Sequence, residues 1–480
     1  MISNNINMDK QLKTEERIIQ FGEGNFLRAF VDWMIQEMND NAGFDSNVVV
    51  VQPIKNGLVD KLNSQNCLYH VVLKGIKNGK GVKDIKLNSA ISRCINPYVD
   101  YQGYIKLAEI PTMRFIISNT TEAGIAFDEN DKLEMQPPSS FPAKLTQLLY
   151  HRFTFYKGDI SKGFIILPCE LIENNANELK ACIYKYCVLW SLPDAFKEWL
   201  EKSCTFCNTL VDRIVPGFNK DTALELANTK NIEDNMCVDA EQFHLWVIEG
   251  PQWVKNEFPT DKANLNVLYV NDVKPYRTRK VRLLNGPHTL MMPVAYLSGI
   301  EYVREAVEHP VIGKFILQAI NNEIIPTLDL PAEELKSFAD EVLDRFRNPF
   351  VNHALMSISL NSVSKFKSRL LPTLLDYNHK FGKLPENIVF SLAALIAFYK
   401  GEYKGKAIAV KDDEPVMQFF ANVWKNFSGN TDAIVHETLK NEAFWGQNLT
   451  STKGLEEKVC QYLSKILKDG MLESVKELVK

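Results

Sequence analysis

RIIQFGEGNFLRAF, residues 17–30, decides how the first half of this chain folds. Its opening, RIIQF, is short and apolar with β-branched residues, as suits a strand buried on both faces. Gly22 and Gly24 follow at once, and a stretch with helical periodicity begins at Leu27. A strand that turns through glycines into a helix brings backbone N–H groups and the positive end of the helix to one point, which suits a pyrophosphate. Phe21, Gly22, Gly24, Asn25 and Arg28 are therefore candidate cofactor contacts, Arg28 through a charge-assisted bond to phosphate. The match to GxGxxG is incomplete. Leu27 stands where the third glycine belongs, and the second strand ends in Gln52 and Pro53 instead of the Asp or Glu that holds a ribose hydroxyl. The same two glycines would serve a tight turn with no ligand at all, so the surroundings decide.

Outward from this stretch, short apolar runs recur: NVVVV at 47–51, YHVVL at 69–73, RFIIS at 114–118, FIIL at 164–167 and NVLYV at 266–270. Helical candidates lie between them, at 27–38, 143–156 and 176–190. That alternation predicts a largely parallel sheet with helices on both faces. RFIIS runs into Asn119, Thr120, Thr121 and Glu122, and polar residues at the carboxyl end of a central strand lie where ligands bind in open parallel sheets. An ordinary polar loop would look alike. Beyond residue 275 the strand-like runs almost vanish, and helices are expected over 301–309, 311–325, 331–345, 353–374, 385–399, 416–427, 432–444 and 455–479. At 480 residues the chain exceeds one ordinary core. The expected architecture is an α/β Rossmann-type dinucleotide-binding domain over 1–274, followed by a mostly α-helical domain over 275–480.

Composition narrows the class. Apolar residues make 45% and charged residues 24%, and 55 basic against 59 acidic side chains leave a net charge of -4. This balance argues against nucleic-acid and membrane-surface binding while allowing a local basic pocket for an anionic small molecule. No apolar run reaches the ~20 residues of a bilayer span, and Ile388 to Tyr399 fits a buried core helix better. The polar N-terminus, MISNNINMDKQLKTEER, lacks the apolar segment of a signal peptide. A cytoplasmic protein is expected. Nine cysteines without regular spacing read as reduced thiols. Cys204 and Cys207 form a CxxC, a redox motif or half a zinc site, but no second CxxC or paired histidine accompanies it, and no metal is expected.

The chemistry is concentrated in DVKPYRTRKVRLLNGPH, residues 272–288, where the two halves join. Reversible carbonyl reduction needs a proton donor for the alkoxide and neutral hydrogen-bond donors to polarise the carbonyl. Lys280, Asn285 and His288 can supply them. On a regular helix Asn285 and His288 share a face, while Lys280 lies about 80° from His288 and must use its long arm. Pro287 should push Gly286 away from helical angles and kink the helix there. Singly, a lysine is normally a solvated charge and a buried histidine a core residue. The triple is the better signal.

Around these residues the chain resembles the mannitol dehydrogenase family of polyol-specific long-chain dehydrogenases, most closely its hexuronate-reducing branch. The likeness spans nearly the whole chain and rests on RIIQFGEGNFLRAFVDW, FIISNTTEAGI, FPAKLTQLL, ILPCELIENN, TLVDRIVPG, VNDVKPYRTRKVRLLNGPHT, RFRNPFVNH and LAALIAFYKGE. It implies an NAD(H)-dependent, zinc-independent oxidoreductase whose K-x4-N-x2-H motif falls on Lys280 as general acid/base and on Asn285 and His288 as holders of the reacting oxygen. Lys365 matches a further substrate-site lysine. Two departures from the mannitol-oxidising members, Leu171 for an asparagine and Ser357 for an arginine, favour a sugar acid over a neutral polyol. The implied reaction interconverts D-tagaturonate and D-altronate, with the substrate between the domains. Fructuronate reduction or mannitol oxidation is the alternative within the family, and a nucleotide-binding protein without catalysis the alternative outside it. Arg213, His353 and Lys365 are the expected substrate ligands, with Arg347 and Arg369 as further candidates for the carboxylate. NAD is the expected cofactor, although Gln52 carries no ribose-binding charge and Lys55 could reach a 2′-phosphate. Proton transfer in both directions asks for a lysine pKa near about 7 to 8, which burial and the neighbouring Arg279 and Arg282 would favour.

Overall fold

The computed structural model describes residues 14–77 and 80–480. Residues 1–13, read above for a signal peptide, lie outside the described residues. The chain divides into two compact units, Met1–Gly75 with Val82–Val273, and Ile76–Gly81 with Lys274–Lys480.

The first unit is built on six parallel strands: β1 (Glu15–Phe21), β2 (Ser46–Val51), β3 (Ile91–Ile95), β4 (Phe115–Ser118), β5 (Ile165–Pro168) and β6 (Thr205–Phe206). Their spatial order is 3-2-1-4-5-6, the doubly wound dinucleotide-binding arrangement, with the reversal of direction between β1 and β4. Successive residues feed two cores. Ile18, Val48, Val50, Phe115 and Ile117 face one, and Ile19, Val49, Val51 and Ile116 face the other, which is why these strands read as unbroken apolar runs.

Not every run joined that sheet. Tyr69–Lys77 lies between Val238–Glu241 and Lys80–Asn88 in a second sheet, and Val267–Val270 edges a third, where it is only half buried. The sheet position expected for them goes to ISRCI, 91–95, whose central Ser92 and Arg93 hide the pattern because β3 is an edge strand. The helix expected over 27–38 is two: α1 (Asn25–Ala29) and α2 (Val31–Ala42), broken at Phe30 with φ -123° and ψ -73°.

The second unit is helical, as the sequence predicts, but less continuous. Residues 353–374 form three pieces, and Leu455–Asp469 and Met471–Leu478 are separated by Gly470 at φ 88°. ENIVFSLAALIAF, Glu386–Phe398, is buried from Asn387 onward and forms the centre of this unit. Its N-terminal Pro385 has no side-chain cap to offer, and Glu323 does that work, accepting from the backbone N–H of Asn387 and Ile388 at 2.8 and 3.0 Å. Among the described residues no helix is long and apolar enough to cross a membrane.

Candidate active site

Gly22 follows β1 at φ 123°, and a Cβ there would lie 2.8 Å from the Asn119 backbone oxygen. Glycine is required by the fold itself at that point. Gly24 differs. It precedes α1 at φ -66°, and a Cβ on it would meet no protein atom within 4 Å. The open side of Gly24 therefore leaves room for a ligand to approach the backbone. Leu27, in place of the third glycine, is buried under the turn with its Cδ1 3.2 Å from the Cβ position of Gly22.

Arg28 does not present its guanidinium to a phosphate. It is 1% exposed, donates to the Glu23 and Met236 carbonyls and to Asn25 Oδ1, and stacks 5.0 Å above the Tyr69 ring. It braces the glycine turn from behind, and Asn25 is spent on it. Gln52 is likewise occupied, donating to Ile54 and Lys55 carbonyls at 2.9 and 3.1 Å and so shaping the loop after β2. Glu23 reaches the same loop, accepting from Leu58 N–H at 3.1 Å. Lys55 is exposed.

The end of β4 is organised by a residue whose role the sequence did not disclose. Glu170, 2% exposed, accepts from Ser118 Oγ, Thr120 N–H and Thr120 Oγ1 at 3.0, 2.9 and 3.0 Å. Burial raises its pKa against these bonds. Asn119 donates to the Cys169 carbonyl at 2.8 Å. Thr121 is held at φ 76°, a strained setting for a β-branched residue and of the kind found at ligand clamps. Beside this turn opens a cavity of about 550 Å³ lined by Phe26, Asn119, Thr121, Glu122, Ala123, Leu171 and Val211. Its size and place at the carboxyl end of the sheet fit the nicotinamide half of a dinucleotide.

Arg213 stays within this unit and in its core. Its guanidinium donates to the Glu241 and Ala29 carbonyls and packs 4.1 Å over Trp33, and burial lowers its pKa to about 9. Cys204 and Cys207 are buried thiols pushed up to about 12, which leaves little reactive thiolate.

In the second unit the helix Lys274–Lys280 runs into a π-helical turn, Val281–Asn285, and then into Gly286–Leu297. Gly286 donates to the Val281 carbonyl, five residues back. Pro287 explains the turn, since it has no N–H and in a continuous α-helix its ring would strike the Leu283 carbonyl. The expected departure of Gly286 from helical angles does not occur. Gly286 keeps helical angles, φ -57° and ψ -57°, because without a Cβ it tolerates the proline ring. The wide turn takes up one extra residue, or about 100° of rotation, so Lys280 and His288 come to within about 20° of one face instead of about 80°. Asn285 moves from about 140° to about 40° from Lys280 by the same correction.

The flanks of the turn are anchored. Arg279 pairs with Glu334 and stacks 4.4 Å over Phe338, while Arg282 binds Thr373 Oγ1 at 2.6 Å and Asp376 at 3.1 Å. Both arginines expected to act on Lys280 thus have carboxylates of their own. His288 is 8% exposed, with its ring 4.3 Å from Phe346 and 5.0 Å from His353, and its Nε2 has no hydrogen-bond partner. Burial first, then the charges of His353, Arg345, Arg369 and Lys365, hold its pKa well below the usual histidine range. A neutral imidazole with a free ring nitrogen is the polariser that carbonyl reduction asks for. Lys365 donates to the Ile358 carbonyl at 2.8 Å, Arg347 pairs with Asp344 at 3.3 Å, and Ser357 is exposed and bonded to the Ala354 carbonyl.

Fold and site together define a two-domain dehydrogenase, with a Rossmann-type nucleotide unit and a helical unit carrying a Lys/Asn/His set. Residues 16–262 match the mannitol dehydrogenase Rossmann domain and residues 272–467 the mannitol dehydrogenase C-terminal domain, so the chain belongs to the mannitol dehydrogenase family. It is 52% identical to an altronate oxidoreductase of Phocaeicola vulgatus over 99% of each chain. It is 45% identical to that of Bacillus subtilis over 98% of this chain and 96% of the relative. Solved structures share the fold: a Pseudomonas fluorescens mannitol 2-dehydrogenase in ternary complex with NAD and D-mannitol, 21% identical with a TM-score of 0.66, over 97% of this chain and 95% of that one. A D-sorbitol dehydrogenase in substrate-free form is 23% identical with a TM-score of 0.78, over 96% and 95%.

Proposed function

We propose that this enzyme interconverts D-tagaturonate and D-altronate with NAD(H), in the cytosol, using residues 1–274 for the cofactor and 275–480 for the substrate. The observation that carries the reading is the π turn that sets Lys280, Asn285 and His288 on one helical face. The naming of relatives 45–52% identical as altronate oxidoreductases supports the substrate.

The open side of Gly24 and the cavity beside Asn119 fit a dinucleotide, with Phe21, Gly22, Gly24 and Asn25 forming the turn beneath it and Thr120, Thr121 and Glu122 beside its reactive end. Arg28 serves that turn indirectly, by bracing it. Bound NADH supplies a hydride to the ketone carbon. Asn285 and neutral His288 donate hydrogen bonds to the ketone oxygen, which stabilises the charge that grows there. Lys280 as ammonium gives its proton to that oxygen, and altronate oxidation uses neutral Lys280 as base. His353 and Lys365 stand with His288 on the substrate side, whereas Arg213 supports the first unit's core.

Lys280→Ala tests the reading. Turnover of tagaturonate should fall by roughly 100-fold or more, while NADH binding, followed by fluorescence titration, stays near that of the wild type. Unchanged turnover removes Lys280 from the reaction, and a wild-type enzyme that ignores tagaturonate but reduces fructuronate or fructose moves the substrate assignment within the family.

A further inference from the structure

We infer that Arg369 is the residue that holds the substrate's carboxylate and thereby selects sugar acids over neutral sugars. The inference rests on the sugar-acid reading above and goes further by choosing one among several cations.

The His353 ring lies 5.0 Å from that of His288, Arg369 reaches the neighbouring Thr289, and the charges that act on His288 are those of His353, Arg345, Arg369 and Lys365, all of them cationic or able to become so. Gathering positive groups around a buried ring is costly unless an anion joins them. The carboxylate that acts on Lys365 is Asp412, and Asp412 is already bonded to the Tyr399 hydroxyl. The other arginines of this unit described above have acids of their own: Arg279 has Glu334, Arg282 has Asp376 and Arg347 has Asp344. Arg345 acts on Glu341, whose carboxyl is pushed up by burial against the opposing pull of Arg279 and Arg345.

Arg369 differs from them. Among the described residues no carboxylate pairs with it, and burial alone lowers its pKa. Its hydrogen bond is a long one, 3.3 Å from Nη1 to Thr289 Oγ1, next in sequence to His288. Arg369 and Lys365 are four apart on the helix Ser362–Arg369 and so share a face. The unpartnered Nε2 of His288, which takes the ketone oxygen in the proposed reaction, lies one residue from the Thr289 hydroxyl that Arg369 reaches, so a substrate held there comes within range of the guanidinium. The planar guanidinium fork suits a carboxylate in two-point contact, which the single Lys365 ammonium, held by Ile358, cannot match. Of the other cations considered for this role, Arg213 is buried in the core of the first unit, its guanidinium over Trp33 and bonded to the Glu241 and Ala29 carbonyls, and His353 has its pKa lowered by burial.

The test compares tagaturonate with the neutral ketohexose D-tagatose in wild type, Arg369→Gln and Arg369→Lys, with NADH consumption and with altronate-induced thermal stabilisation as readouts. In R369Q the ratio of kcat/KM for tagaturonate over tagatose should collapse by about 100-fold, and altronate should no longer stabilise the protein. R369K should recover part of both. Equal losses on both ketones, or an unchanged ratio, would overturn the assignment while leaving the wild-type activity, and so the proposed reaction, standing. A wild type that neither turns over tagaturonate nor is stabilised by altronate would overturn the proposed reaction first, and this assignment with it. Should R369Q fail to fold, the R369K ratio decides alone.

Discussion

The Glu170 carboxylate accepts from both the backbone N–H and the hydroxyl of Thr120, at 2.9 and 3.0 Å, and so fixes the first residues beyond β4. Glu170→Gln keeps the shape but turns one acceptor into an amide donor, which opposes either Thr120 or Ser118. With one or two bonds of about 1 kcal/mol each at stake, the NADH dissociation constant should rise roughly 10-fold. Fluorescence titration reads it directly. An unaltered constant would mean that the turn holds its place without Glu170.

Pro287 forces the π turn, and removing it should let the segment relax. In Pro287→Ala the restored N–H can bond the Leu283 carbonyl, the turn tightens to α, and Lys280 swings by about 100° relative to His288. Turnover should fall about 100-fold, as misplacement of a reacting group commonly costs that much, with thermal stability held or raised. Full activity in P287A would show that the alignment does not depend on the proline.

The strands β1, β2, β4 and β5 were legible because apolar cores on both faces make their centres runs of apolar residues, whereas β3, an edge, hid behind Ser92 and Arg93. The Lys/Asn/His spacing was legible as a motif, but its geometry was not. A π turn has no propensity signature, and only the backbone shows how Gly286 and Pro287 are reconciled. Arg28 and Arg213 illustrate a further limit. Sequence gives a guanidinium its charge but not its direction, and both point into the core to satisfy backbone carbonyls. Glu170 escaped notice for the converse reason, since a buried carboxylate is recognisable only once its donors are in place.

Buried acids give stability a definite pH dependence. Asp32 is fully buried in α2, its Oδ2 accepting from Gln20 at 3.2 Å while Oδ1 has no partner, and burial raises its pKa from 3.8 to about 7. The folded state therefore keeps this proton where the unfolded chain has lost it. Stability falls as pH rises through about 4 to 7 and levels off above. Glu323, raised to about 7, acts in the same sense. His288, depressed, acts oppositely below its usual range, so the comparison must hold it constant. Between pH 5 and pH 8 the melting temperature of the wild type should decline relative to that of Asp32→Asn. Parallel curves would refute the buried-proton account.

The two glycines of the first turn should separate a folding requirement from a binding one. Gly22→Ala puts a methyl group 2.8 Å from the Asn119 oxygen at φ 123°. The strain of a positive φ and the overlap together amount to about 2 kcal/mol or more, so the melting temperature should fall by roughly 5 °C. Gly24→Ala introduces neither fault, because φ is -66° and no protein atom lies within 4 Å. Its added methyl fills only the space a dinucleotide would take. G24A should melt with the wild type yet bind NADH about 10-fold more weakly. If G24A instead binds NADH as the wild type does, the glycine pair is a turn and nothing more, and the cofactor must approach the sheet elsewhere.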